Sequence, residues 1–212
     1  MEIKKLAKNA LNFGLNRFIE IIGISIAITG LLLLISLLSY SPEDPNFIFP
    51  ENTNIQNILG FRGSFIADLF YQSFGLIALL IPFSFIFTGS NIFFNKKILL
   101  VIESLFYTIL YSLFGSLFFS NFYINTFKLY INGNGGFVGK YLETTFLNSL
   151  INLNEQISYY VLIVIVTVLF LISVNFRIIL FYNYIKKIFK ILFLKKEKNF
   201  KNKNEIKNEL IH

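Results

Sequence analysis

The stretch GNGGFVGKY, residues 133–141, contains the residue types of a phosphate-binding loop: glycines, a Gly-Lys pair and a hydroxyl-bearing residue. Such a loop needs four residues between its first glycine and the Gly-Lys pair, and then a serine or threonine that binds magnesium. Here Gly133 lies one residue too far from Gly139, position 134 is asparagine, and Tyr141 occupies the serine or threonine position. We therefore interpret the stretch as a turn that opens a short helix at about Val138, and we predict no nucleotide site.

Other side chains that carry out enzyme chemistry are sparse. The chain has no cysteine, and its one histidine is the last residue, His212. Thiolate or histidine metal sites and Ser-His-Asp constellations are therefore not expected. The acidic residues of the stretches 39–64 and 120–156 are scattered, with no pair spaced for acid–base catalysis: Glu43, Asp44, Glu51, Glu143 and Glu155. We expect no enzyme active site, no metal and no cofactor.

The elements that must position any functional residue are apolar. Of the 212 residues, 55% are hydrophobic and 15% are charged, whereas soluble domains carry about 25% charged residues. About 20 helical residues cross a hydrocarbon layer of about 30 Å. Four runs reach that length without a polar face wide enough for water: residues 19–38, 65–87, 98–119 and 157–181. The sequence predicts an all-α integral membrane protein with four transmembrane helices.

The distribution of cations predicts the orientation of these helices. Sixteen of the 19 lysines and arginines lie before the first run, between the second and third, or at and beyond the end of the fourth. By the positive-inside rule, both termini are predicted to be cytoplasmic, and loops 39–64 and 120–156 to face outward. The expected organisation is a basic amphipathic segment (1–17), a four-helix domain (18–183) and a basic tail or start of a linker (184–212).

The lysine-rich flanks, residues 1–17 and 184–212, carry apolar residues at helical spacing. This pattern is typical of amphipathic helices on anionic headgroups, so the lipid bilayer is the expected partner. DNA binding by the tail is the alternative. It is not favoured, because the tail beyond Arg177 lacks arginine and a folded reading module.

A set of short motifs in a fixed order resembles one known family. They are the turn Tyr40-Ser-Pro-Glu-Asp-Pro45; Asn57, Gly60 and Gly63 in an Asn-x-x-Gly-x-x-Gly run; Ala67-Asp68; Phe74-Gly75; Pro82; and Gly135, Gly136 and Gly139. Together with four predicted helices over residues 18–183, they resemble the N-terminal membrane domain of the FtsK/SpoIIIE family of septal DNA translocases. The family's cytoplasmic ATPase motor and DNA-reading winged helix have no counterpart in these 212 residues.

The resemblance implies a membrane anchor and division-site scaffold in the bacterial inner membrane, at the septum. It implies a homo-oligomer that contacts division proteins and, with a motor encoded elsewhere, a part in chromosome segregation. A small four-helix transporter or channel subunit is the alternative. That class needs ionisable or amide groups near mid-membrane, whereas Asp68, Glu103 and Arg177 lie near the ends of the predicted spans.

Nine residues are candidates for structural or interaction roles: Asp44, Pro45, Gly60, Gly63, Asp68, Pro82, Gly135, Gly136 and Gly139. The prolines around Glu43 and Asp44 predict a helix stop with both carboxylates in water. Asp68 is expected either to help the second helix begin at the interface or to make a polar contact with another helix or a division protein. Pro82 is expected to kink the second helix, and Glu103 to reach towards Lys96 and Lys97.

Overall fold

The computed structural model describes residues 2–45, 54–124, 132–176 and 186–187. Its elements are seven α-helices and one 3₁₀ segment: α1 (Glu2–Leu38), α2 (Gly60–Phe74), the 3₁₀ segment (Gly75–Leu80), α3 (Ile81–Asn95), α4 (Leu100–Phe122), α5 (Gly136–Glu143), α6 (Phe146–Leu153) and α7 (Glu155–Ser173). Met1–Asn175 is one compact unit. In the second unit, Phe176–His212, residues 186 and 187 are helical.

Four segments of the described residues are long and apolar enough to cross a membrane: Lys8–Leu38, Gly60–Asn95, Leu100–Phe122 and Glu155–Ser173. The predicted class, an all-α protein with four spanning helices, is confirmed. The cytoplasmic location of both ends stays a prediction. Arg177, the end of the fourth predicted run and the basic tail from residue 188 onward lie outside the described residues.

Helix α1 is longer than its predicted span. The basic segment and the first apolar run form one continuous helix, Glu2–Leu38, because no proline interrupts them. It ends just before the Tyr40–Pro45 turn. We refer to this end of the bundle as the Leu38 end and to the opposite end, where α3 stops, as the Lys96 end.

Helices α1 and α3 cross with their backbones almost in contact. A Cβ atom at Gly89 of α3 would lie 2.5 Å from the Gly23 carbonyl oxygen and from the Ala27 nitrogen of α1. Farther along α1, a Cβ at Gly30 would lie 2.9 Å from the backbone nitrogen of Ile86. Small residues permit this close approach, which favours helix association where the hydrophobic effect does not act between helices.

Helix α2 lies across the Leu38 end of α1. The Ser36 hydroxyl donates to the Gly63 carbonyl at 2.6 Å, and the Tyr71 hydroxyl donates to the Leu37 carbonyl at 3.1 Å. Gly63 and Tyr71 are about 12 Å apart along α2, yet they contact adjacent residues of α1. Helix α2 therefore crosses α1, and the 3₁₀ segment and α3 then run down the bundle to Asn95.

The second span is broken at Gly75, which has φ of +71°. A break within a membrane is tolerated where the freed backbone groups find partners. The Phe74 carbonyl accepts from the Ser116 hydroxyl at 2.8 Å, and the Leu76 N–H donates to the Asn134 carbonyl at 2.9 Å. We expected Pro82 to kink a continuous helix, but the break precedes it. Pro82 lies in the first turn of α3. Backbone N–H groups in the first turn make no intrahelical hydrogen bond, so a proline there costs the helix none.

Helix α4 carries a hydroxyl group at every fourth position of its buried face: Ser104, Thr108, Ser112, Ser116 and Ser120. We call this set the hydroxyl stripe. Its members contact different elements. Ser104 accepts from Thr88 of α3, Ser116 bonds the end of α2, and Ser120 lies against α5. The stripe therefore aligns three separate parts of the chain along one helix.

Helices α5 and α6 lie between α4 and α7 in the chain and pack beside them. Thr145 caps α6 by accepting the N–H of Leu147 at 3.4 Å, and Asn154 caps α7 by accepting the N–H of Ile157 at 3.1 Å. Ile151 of α6 is buried in a cluster with Leu117 and Leu162. These caps let two tight turns follow each other without a long loop.

Candidate functional site

The polar residues at the Leu38 end form a connected network. We call its residues, 39–45, 54–74 and 132–143, the cap. Asp44 lies at its centre and is 1% exposed. Its Oδ1 accepts the backbone N–H of Gln56 at 2.7 Å, and its Oδ2 accepts that of Asn57 at 2.9 Å. The expectation that both turn carboxylates stay in water is wrong for Asp44, because these two donors compensate its burial, whereas Glu43 is exposed.

Asn57 joins the turn to the end of α1. Its amide Nδ2 donates to the carbonyls of Ser36 at 2.9 Å and Ser39 at 3.2 Å. A helix end leaves such carbonyls without intrahelical partners, so this side chain caps α1. Its Oδ1 accepts from Leu59 at 3.1 Å. A Cβ at Gly63 would lie 2.2 Å from that Oδ1, so only glycine fits there.

Pro45 and Gly60 take part in the same cap. Pro45 is buried, and its carbonyl accepts the Ser64 hydroxyl at 2.9 Å. Gly60 begins α2 with φ of +65° and donates its N–H to the Asn57 carbonyl at 2.9 Å. The turn after α1 and the start of α2 are therefore joined by backbone and side-chain bonds.

Asp68 is 5% exposed. Its Oδ1 accepts the Tyr40 hydroxyl at 3.1 Å and the Gln72 amide at 3.3 Å. It lies more than two turns past Gly60, beyond the free N–H groups of the helix start. The ion pairs found among the described residues do not include Arg62. Burial, together with the Asp68 carboxylate, raises the pKa of the Tyr40 hydroxyl well above its usual range.

The three glycines of loop 120–156, Gly135, Gly136 and Gly139, pack on or beside the hydroxyl stripe. A Cβ at Gly135 or Gly139 would lie 2.0 or 2.2 Å from the Ser120 hydroxyl oxygen. Gly136, with φ of +67°, would place a Cβ 2.5 Å from the Gly75 nitrogen. The predicted short helix begins here, at Gly136 and not at Val138. The loop glycines thus form a contact surface for α4 and for the break in the second span.

A separate charged cluster lies at the Lys96 end. Glu20 contacts Arg17 and the Lys96 ammonium, the latter at 3.0 Å. Lys96 ends α3 in the left-handed conformation, with φ of 56°. The sequence predicts that Glu103 reaches towards Lys96 and Lys97. In the structure Lys96 pairs with Glu20 instead, and Glu103 is exposed. The cluster fixes the α3–α4 turn to α1.

The arrangement is suited to holding helices together. In residues 2–45, 54–124 and 132–176, no three of His, Cys, Asp or Glu are grouped so that they could hold a metal. The buried Asp44 and Asp68 carboxylates both accept hydrogen bonds from the protein. Sequence reasoning missed Tyr40, Asn134 and Glu20 as site residues. It also missed the hydroxyl stripe, although the strict four-residue spacing is visible in the sequence.

Comparison with known proteins identifies the chain's relatives. Residues 16–186 match the family model described as the 4TM region of DNA translocase FtsK/SpoIIIE. The DNA translocase FtsK of Rickettsia bellii is 33% identical over 84 residues, covering 38% of this chain and 11% of the relative. That of Rickettsia typhi is 38% identical over 64 residues, covering 30% of this chain and 9% of the relative. No solved structure matches.

The matched parts span only about a tenth of these relatives. The matched family region is the membrane domain of the translocase and not its ATPase motor. With four membrane-length helices, the chain is a multi-pass protein of the inner membrane. It belongs to the FtsK/SpoIIIE family as a form of that family's four-helix membrane region.

Proposed function

We propose that this chain is a membrane anchor and division-site scaffold. The observation that carries the proposal is the family match over residues 16–186, which includes most of the first spanning segment, the other three segments and the cap. The cap supports it physically. Two buried carboxylates, a helix-capping asparagine and three packed glycines hold the described parts of loops 39–64 and 120–156 against the helices.

The proposed scaffold acts as a homo-oligomer and binds other division proteins. Helix α7 supports self-association, since only 11% of its most apolar 18 residues are buried within one copy. Its free face displays Ile157, Tyr160, Val161 and Val164. A second copy would cover part of that face with the van der Waals packing that drives association in lipid.

A role in chromosome segregation depends on a motor. The relatives carry the name DNA translocase, and most of their length lies outside the matched part. We propose that these 212 residues supply the membrane anchor and that translocation belongs to a motor outside them.

Transport is less well supported. In the described spans, Glu20 and Lys96 lie at one end and Asp68 at the other. Between the two ends, the Ser84 hydroxyl bonds those of Tyr111 and Ser173 at 3.0 and 2.6 Å. The hydroxyls of Thr108 and Ser112 on α4 have no hydrogen-bond partner in the described part of the chain but are buried, so they are not open to a polar substrate.

A fluorescent fusion of the full chain tests the proposal. We expect enrichment at mid-cell in dividing cells. The variant Asp44→Ala should lose the enrichment while remaining in the membrane, and Glu43→Gln, at the exposed neighbouring position, should keep it. Uniform peripheral fluorescence of the unaltered chain would contradict the scaffold role.

Self-association is tested by single cysteines, since the natural chain has none. Val164→Cys on the free face of α7 should form disulfide-linked dimers in native membranes. Ile92→Cys, at a fully buried position of α3, should not. Equal yields from both positions would contradict an interface on α7.

A further inference from the structure

A groove opens sideways between α1, α3 and α4, near the Lys96 end. Its volume is about 250 Å³. Ser25 and Thr29 of α1 form one wall, Leu105 of α4 lies at the opposite rim, and Thr88 and Ser104 form the floor. The wall and rim residues are exposed and the floor residues are buried. The groove is therefore a recess in the lipid-facing surface, distinct from the cap.

The hydroxyls of the groove already have partners. Ser25 donates to the Ile21 carbonyl and Thr29 to the Ser25 carbonyl, each at 2.9 Å. On the floor, Thr88 donates to Ser104. An occupant would therefore meet a surface that is almost entirely apolar. An apolar cavity of about 150 Å³ already stays dry and binds a hydrocarbon such as benzene, so this chemistry selects a hydrocarbon chain.

Charge at the Lys96 end indicates what that chain is attached to. The cations Arg17, Lys96 and Lys97 lie within about 12 Å of the groove along α1, α3 and α4. Two carboxylates, Glu20 and Glu103, lie in the same region. Glu20 contacts Arg17 and Lys96, whereas the ion pairs of the described residues do not include Lys97, which is exposed. These three cations and two carboxylates carry a net charge of +1 beside the groove, which favours an anionic headgroup there.

From this combination we infer that the groove binds one acyl chain of an anionic phospholipid whose headgroup lies against Lys97. The recess takes the hydrocarbon, and the ammonium selects the charge of the headgroup. The site is independent of division-site scaffolding, because it requires neither a partner protein nor an oligomer. It predicts a discrete lipid that prefers this position over the surrounding bilayer.

The absence of tryptophan from the chain makes a direct test available. The full chain carrying Leu105→Trp is placed in lipid nanodiscs, where brominated phosphatidylglycerol or brominated phosphatidylcholine quenches its fluorescence. One lysine near an anionic surface corresponds to about a five-fold preference for the anionic lipid at this position. The matched control is Phe106→Trp, at the next residue of α4, which is 58% exposed and does not line the groove.

Three results support the inference together: preferential quenching by phosphatidylglycerol at position 105, no preference at position 106, and loss of the preference when Lys97→Gln is added. The substitution Thr29→Phe, which fills the groove from its exposed wall, should also remove the preference for phosphatidylglycerol at position 105. Equal quenching by both lipids at position 105 would mean ordinary bulk lipid and would overturn the inference. Quenching at position 106 but not at 105 would overturn it as well, since a protein segment would then fill the groove.

Discussion

The substitution Asp44→Ala should destabilise the cap by about 3 kcal/mol. The carboxylate accepts two backbone N–H groups, at 2.7 and 2.9 Å, and is 1% exposed. Each hydrogen bond to a charged group contributes about 1.5 to 3 kcal/mol, and the lower value applied twice gives about 3 kcal/mol. Alanine also leaves the N–H of Asn57, itself a buried residue, without its acceptor. The unfolding equilibrium constant should rise by roughly 100-fold.

The assay is reversible unfolding of the full chain in mixed micelles, titrated with a denaturing detergent and followed by circular dichroism. Asp44→Asn keeps one acceptor oxygen and presents an amide to the other N–H, so about 2 kcal/mol is expected. Glu43→Gln at the exposed neighbour keeps a hydrogen-bonding side chain, so it should cost less than about 1 kcal/mol. If Asp44→Ala is as mild as Glu43→Gln, the two backbone bonds do not stabilise the cap and the reasoning is refuted.

The other predictions concern packing, pH and topology. Gly89→Ala should cost at least about 2 kcal/mol in the same unfolding assay, because its Cβ would lie 2.5 Å from two backbone atoms of α1. Gly14→Ala, with nothing within 4 Å of the new Cβ, should be neutral or stabilising, and equal losses would contradict the close crossing. Tyr40→Phe should cost about 1.5 kcal/mol by removing a bond to Asp68. Since the folded-state pKa of Tyr40 is raised, this contribution should be complete below about pH 10 and decline at higher pH, which unfolding curves at several pH values would show. Glu43→Cys should be labelled by an impermeant maleimide from outside the cell and Lys97→Cys only after permeabilisation, and the reverse pattern would overturn the predicted orientation.

Hydropathy was sufficient to predict the number of spans, because the cost of crossing a hydrocarbon layer depends on length and composition. It did not locate the break in the second span. Periodicity treats residues 65–87 as one apolar helix, whereas the break at Gly75 depends on partners from Ser116 and Asn134, far along the chain. A proline within an apolar run is the one signal of a kink that the sequence itself offers, so sequence reasoning places the kink at Pro82.

Some residues of the cap can be singled out from the sequence, whereas Tyr40, Asn134 and the hydrogen bonds of the cap cannot. Gly60, Gly63 and Asp68 stand out by type and position, and the structure places all three in or beside the network. The burial of Asp44 could not be predicted, since a carboxylate between two prolines is ordinarily solvated and only the return of the chain at Gln56 supplies its donors.

The break at Gly75 also has a consequence for how the protein is made. The hydrogen-bond partner of the Phe74 carbonyl is Ser116, which lies 42 residues later in the chain. The partner of the Leu76 N–H is Asn134, which is later still. At about 5 to 20 residues per second, synthesis supplies these partners several seconds after the groups that they bond. The second span therefore completes its backbone hydrogen bonds only after most of α4 and the residues just before α5 have been made.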